Sequence, residues 1–437
     1  MQKSKVRWKV SMLLWSCISI NYIDRAILAA TAPYMKEDFH LTSAELGMVL
    51  SAFFFTYTLF QIPQGWFADK VGQRISLALS VAWWSASTIL TALFASGLKS
   101  MMLLRMTLGI GEAGAYPGCT GVVAKWFPIK ERSRAVSVYD SGSTIGAAIA
   151  MPVVVAMAIH WGWRTPFILF GALGLLWAIG WWLYYRDPEK HASVNAAELD
   201  HIQSGQQRED EAKDDTIPLM KWYELLKYRN VWAMCLGFFT LNYTIYFFLT
   251  WFPTYLVEDR GYDMMSMGWA AVVPPLCGLA GSFTGGFLMD KLYANGHSLT
   301  FVRKFTLVGG MLIGTCIIGS GVAKSASLSL FLMGISYFGL MMASCAVWSL
   351  VSDVAPAGKA SVLAGLQNTF SNAGGVVGPI VTGFIVSSTG SFNAALALSG
   401  IGVLIGALIY LVVLGKIEPI RAGNTKMCTT AKQLSVN

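Results

Sequence analysis

Charged residues are scarce in this chain. Asp, Glu, Lys and Arg make up 13% of its 437 residues, about half the share of an ordinary soluble domain. That excludes a solvent-facing globular fold over most of the length. The cysteines form no pattern: there are seven, with Cys17, Cys119, Cys235, Cys277, Cys316 and Cys345 inside apolar runs and Cys428 near the end. Neither a disulfide framework nor a metal-ligand spacing emerges, and they read as small apolar fillers. None of the five histidines falls in an apolar run. No nucleophile elbow or phosphate loop is found, and no cofactor is expected. These absences argue against a membrane enzyme or a substrate sensor. No cleavable leader is expected either, because the first apolar run is long and enters directly from Lys3, Lys5, Arg7 and Lys9.

What is present is hydrophobic sequence, 55% of the chain. Twelve runs have helix-spanning length: roughly 10–35, 45–68, 76–96, 100–124, 136–158, 165–185, 230–256, 265–289, 304–323, 327–351, 361–386 and 393–415. Backbone groups in lipid must bond internally, so each run reads as a helix. Of the 32 basic residues, Arg25 and Arg105 lie within runs, and Lys36, Lys99, Arg164, Arg260 and Lys324 in the odd-numbered loops. The other 25 lie at the termini, in the even loops and in the one long polar stretch. The positive-inside rule therefore puts both termini in the cytoplasm and makes the basic excess a signal of orientation, not of nucleic-acid binding.

That polar stretch holds ten acidic and seven basic residues between Arg186 and Arg229. It reads as a solvated tether, in which Glu198-Leu199-Asp200 and Lys221-Trp222-Tyr223-Glu224 could form short helices. The expected organisation is an all-α membrane protein of twelve helices in two pseudo-symmetric six-helix bundles. The bundles would occupy 1–185 and 230–416, with a cytoplasmic linker at 186–229 and a disordered tail at 417–437. The halves echo each other. Asp69 and Asp290 close the second and eighth runs in similar segments, and the same offset of 221 carries Asn21-Tyr22 onto Asn242-Tyr243. Asp24 and Arg25 map onto Ile245 and Tyr246, so the ionic equipment belongs to the first half alone.

The chain is organised around Asn21-Tyr22-Ile23-Asp24-Arg25, near the middle of the first run. A carboxylate and a guanidinium at that depth are costly, and such pairs mark an ion or substrate path. In the fourth run Arg105 and Glu112 are seven residues apart and project from one face. Ionisable groups sharing a cavity would form a proton site carried on carboxylates. The alternative is a static ion-pair network joining helices one and four. Arg25 suits an anion, since its planar fork binds carboxylates bidentately and keeps its charge. Tyr22 lies on the same face, and Tyr57 could add a hydroxyl. Gly65, Asp69, Gly72 and Arg74 mark a cytoplasmic helix end that could lock one conformation across the seam between halves. Asp140 either lines the cytoplasmic side of the cavity or faces headgroups.

Segment Gly65–Arg74 resembles the loop-two signature of the major facilitator superfamily. Together with Asn21–Arg25, Arg105…Gly111-Glu112-Ala113, Lys125-Trp126-Phe127-Pro128 and Phe248–Pro253, the sequence is similar to the anion:cation symporters, in particular the bacterial glucarate- and galactonate-type permeases. The resemblance runs from Tyr22 to about Lys416 and implies proton-driven import of an organic anion by a monomer. It implies that Asp24 and Glu112 protonate, that Arg105 pairs with Asp24, and that Arg25, Tyr22, Tyr57, Ser143, Asn242, Trp348 and Asn368 hold substrate. Gly65, Asp69, Gly72, Arg74 and Asp290 would serve gating. Two positions depart from the pattern: Ser143 and Phe238 stand where glutamines are expected. A sugar acid such as a hexonate or hexarate remains the first expectation. An aromatic or short-chain carboxylate, sodium coupling, and amphiphile efflux remain alternatives.

Overall fold

The structure is a computed structural model and describes residues 4–204, 222–356 and 360–420. Its first half runs through α1 (Val6–Asp38), α2 (Ser43–Val71), α3 (Gln73–Phe94), α4 (Leu98–Glu112), α5 (Ala115–Trp126), α6 (Ile129–Trp161) and α7 (Arg164–Tyr184). A short helix, α8 (Ala196–Ser204), leads toward the second half. That half comprises α9 (Arg229–Thr250), α10 (Phe252–Glu258), α11 (Met264–Ala270), α12 (Val273–Ala294), α13 (Leu299–Gly314), α14 (Ile317–Val322), α15 (Ala326–Val354), α16 (Ala360–Thr389) and α17 (Asn393–Leu408). No strand occurs among the described residues.

Among the described residues, eleven spans are long and apolar enough to cross a bilayer. The expected run at 100–124 is not among them, because it is broken at Ala113-Gly114 into α4 and α5. Other runs break where the sequence withholds a donor. The α9/α10 break precedes Pro253, and the α11/α12 break precedes Pro274-Pro275, each proline restarting a helix in its first turn. Gly72 ends α2 and begins α3 at φ +84°, a conformation that a side chain would strain.

Small residues set the contacts within each half. A Cβ on Gly281 would stand 2.1 Å from the carbonyl oxygen of Phe338, so α12 and α15 touch backbone to backbone there. Gly118 faces Leu77, and Gly374 meets the backbone of Tyr243, so these glycine spacings are packing devices.

The two halves meet on the face opposite the termini. Lys36 of α1 donates to Glu258 of α10 at 2.8 Å. A Cβ on Gly47 would lie 2.4 Å from the Pro379 carbonyl, and Ser51 Oγ donates to the Val376 carbonyl at 2.7 Å. Toward the terminus face the polar links thin to a long contact of 3.4 Å from Asn368 Nδ2 to Gln61 Oε1. Past it on α2, Ile62 and Trp66 are exposed. The molecule is therefore closed on one face and parts toward the face that carries the N-terminus and α8.

Part of the linker is not the solvated tether expected. Glu198 of α8 is fully buried against the start of α1, accepting from Ser4 Oγ, from the amides of Val6 and Arg7, and from Arg7 Nη1. Arg7 Nε also donates to Glu131 at 2.9 Å, and His201 Nε2 lies 3.0 Å from the second Glu131 oxygen. The rest of the linker (205–221) and the tail beyond 420 lie outside the described residues, as does the side chain of Asp69.

Two predictions follow from packing and charge. Gly281→Ala should lower the thermal stability of purified protein by at least ~1–3 kcal/mol, while Gly286→Ala, with nothing within 4 Å of the added carbon, should be neutral. Equal melting curves for the two variants would contradict the backbone contact. The second concerns Glu131. Burial alone would raise its pKa, but the Arg7 and His201 hydrogen bonds outweigh that and hold it below the ordinary carboxylate value. A depressed folded pKa stabilises above the unfolded value and is lost as pH falls. Glu131→Gln should therefore cost about 1 kcal/mol near neutrality, the difference closing below roughly pH 4.

Candidate functional site

The ionisable groups of α1 and α4 come together. Arg25 Nε donates to Glu112 Oε2 at 2.7 Å, and the Glu112 side chain is completely buried. Each is placed by its helix: Arg25 lies just past the middle of α1, and Glu112 is the last residue of α4, at the break. Three rings box the Arg25 guanidinium, with Tyr22, Phe53 and Tyr57 centred 4.9, 5.0 and 4.7 Å away. Tyr22 is one turn from Arg25, and Phe53 one turn from Tyr57, so two helix faces build the box. Arg105 uses the same central ring, its guanidinium 5.0 Å from Phe53. One aromatic side chain thus carries a cation on either side.

Asp24 is 1% exposed, and neither of its oxygens has a hydrogen-bond partner among the described residues. Its charged neighbours are Glu112 and Arg105, and the Trp84 indole stands beside it. The direct ion pair in this conformation is thus Arg25–Glu112. No pair between Asp24 and Arg105 is formed among the described residues. Arg25 Nη2, Arg105 Nε and Glu112 Oε1 also lack partners. Buried polar atoms left single cost of order 1–3 kcal/mol each, which makes this cluster a candidate site.

A cavity of about 40 Å³ lies between the halves at this level. Tyr22, Arg25 and Met151 line it from the first half, and Phe248, Pro274 and Tyr337 from the second. That is room for about three waters or one carboxylate head.

The remaining expected residues are dispersed. Asn368 makes the long contact with Gln61 already described, and Asn242 donates to Ser371 Oγ within its own half. Trp348 is 47% exposed, and its ring centre lies 5.5 Å from that of Phe238 in a T-shaped arrangement, so the two aromatics singled out from the sequence form one pair. Ser143 donates to the Asp140 carbonyl at 2.7 Å, which spends its hydroxyl on the helix backbone. Among the described gating side chains, no bond crosses between the halves. Arg74 donates twice to the Trp182 carbonyl and stacks on that ring at 4.3 Å, all inside the first half. Gly65 has room, with Pro117 3.9 Å from an added carbon, and Asp290 is exposed.

The sequence reading passed over Phe53, Trp84 and Tyr116. An aromatic in an apolar run carries no mark of its own. The usable signal for Phe53 was its spacing of four from Tyr57.

The family model described as Major Facilitator Superfamily matches residues 14–379. The chain belongs to that superfamily. It is a multi-pass membrane transporter. It is 36% identical over 427 residues to the probable galactarate/D-glucarate transporter GudP of Bacillus subtilis, covering 95% of this chain and 94% of that one. It is also 36% identical over 417 residues to a D-galactonate transporter of Escherichia coli, covering 94% and 96%. In fold it superposes on a bacterial homologue of the human lysosomal transporter Spinster, in an inward-facing and occupied conformation, with a TM-score of 0.77. That match is 19% identical and covers 94% of this chain and 97% of the other.

Because Phe53 faces both arginines, Phe53→Leu should remove two cation–ring contacts while nearly conserving volume. A loss of about 1–3 kcal/mol is expected, read from thermal unfolding in detergent. A melting curve unchanged from wild type would show that the ring is filler.

Proposed function

We propose that this transporter imports a sugar-acid anion together with protons by alternating access, and that the face carrying the termini is cytoplasmic. The observation that carries the reading is the Arg25–Glu112 pair beside the cavity between the halves. Arg25 is a carboxylate receptor already occupied by the chain's own carboxylate. A substrate anion can take that place only if Glu112 gives it up, and Glu112 gives it up when it accepts a proton. Proton and anion then bind together, because each removes the other's competitor.

The bidentate fork of Arg25 would hold the substrate carboxylate, with Tyr22 and Tyr57 flanking it. Asp24 is buried beside this pair and has no hydrogen-bond partner among the described residues, which makes it the second carboxyl available to the cycle. Arg105 stands ready to receive it once ionised, the two forming a second proton site. Loss of protons on the terminus side would restore Arg25–Glu112 and expel the anion.

The sugar-acid substrate rests on the likeness to the galactarate/D-glucarate and D-galactonate transporters. The inner membrane of a bacterium is the matching location. A second reading, an aromatic carboxylate, is favoured by one observation, the Phe238–Trp348 pair in place of a hydrogen-bonding amide. In reconstituted vesicles with an inward proton gradient, labelled galactonate should accumulate, with benzoate a poor competitor. Arg25→Ala should lower affinity at least ~100-fold, the worth of a charge-assisted bidentate pair. Glu112→Gln should end accumulation but leave exchange of internal for external substrate intact. Retained accumulation against a gradient in Glu112→Gln would overturn the coupling, and normal binding by Arg25→Ala would overturn the site.

A further inference from the structure

Asp140 has no part in the scheme above, yet its surroundings are specific. It lies on α6 seven residues before Ala147 and eleven before Met151, both of which line the cavity. Those spacings put all three on one helix face, with Asp140 about 10 Å nearer the terminus face. Tyr116, at the start of α5, donates to Asp140 Oδ1 at 2.9 Å. The Tyr116 hydroxyl in turn lies beside that of Tyr22, whose ring stacks on Arg25. A continuous polar line therefore runs from the carboxylate receptor to Asp140. The Asp140 side chain is exposed, and no cation pairs with it among the described residues.

The cavity at Arg25 admits little more than a carboxylate head. The rest of a six-carbon acid bound there must extend toward the open face, along α6 and past Tyr116. From these placements we propose that Asp140 sorts substrates by the end remote from Arg25. Its acceptor-only carboxylate receives hydrogen bonds from the terminal hydroxyls of a monocarboxylate and repels the second carboxylate of a dicarboxylate. Ser143, one turn on, is uncharged and cannot repel a second carboxylate; its hydroxyl hydrogen goes to the Asp140 carbonyl. The inference rests on the sugar-acid reading and narrows it to the aldonate class.

Galactonate and galactarate make a matched pair of probes, since they share six carbons and stereochemistry and differ only at the far carbon. Affinities of the full-length protein for each, measured by displacement of labelled galactonate, should favour galactonate at least ~10-fold, as two like charges in a partly solvated site require. Asp140→Asn should bring the two within about threefold, mainly by improving galactarate. Asp140→Glu, which keeps the charge, should retain the preference, an outcome that a merely structural role for the aspartate does not produce. An unchanged ratio in Asp140→Asn, or a wild type that prefers galactarate, overturns the assignment of Asp140 while leaving the importer reading standing. Binding of neither acid by wild type overturns the sugar-acid reading itself, and this inference with it.

Discussion

A guanidinium cannot shed its charge, and in this fold Arg25 holds one halfway along a membrane-crossing helix. Much of the first half is arranged around that constraint. Glu112 neutralises it directly, Tyr22, Phe53 and Tyr57 enclose it, and Phe53 passes the same service to Arg105. An apolar core would be cheaper, because burying ions costs several kcal/mol apiece even when they are paired. The arrangement makes sense if the pair is meant to open. Among the described residues, one nitrogen of Arg25, one oxygen of Glu112 and both oxygens of Asp24 have no protein hydrogen-bond partner.

The break in the fourth crossing belongs to the same design. Glu112 is the last residue of α4, and the chain turns at Ala113-Gly114 before α5 begins. Gly109, Gly111 and Gly114 let this region sit hard against α2 and α3, with added carbons at 2.4, 2.6 and 2.3 Å from their neighbours. The same break turns the chain so that Tyr116, four residues on, meets Asp140 on α6. One local irregularity thus supplies both ends of the proposed substrate path.

Between the halves, closure on the far face relies on small residues and a few bonds. Gly47 meets the Pro379 backbone nearly as closely as Gly281 meets that of Phe338, and Ser51 on Val376 and Lys36 on Glu258 add polar links beside it. Two bundles meeting along one such seam match the architecture of carriers that rock about a midplane site. The α8 latch to Arg7 and Glu131 adds to the rigidity of the first bundle on its terminus side.

Composition and the spacing of apolar runs were enough for an all-helical membrane fold in two halves, because lipid leaves the backbone no other economical form. The cost of charge at depth made Asp24, Arg25, Arg105 and Glu112 visible in the same way. What the line of residues could not express was who pairs with whom. Arg25 meets Glu112, 87 positions away, and not the helix-four partner expected for its neighbour Asp24. Phe53 and Tyr116 gained their roles only when packing set their rings beside cations and carboxylates. The Ser143 hydroxyl donates to the carbonyl one turn back, a contact set by the helix itself. Side-chain burial cost is a property of residue type and depth, so it can be read in order along the chain. Partner choice depends on which helix faces meet, and that is decided only when the helices pack.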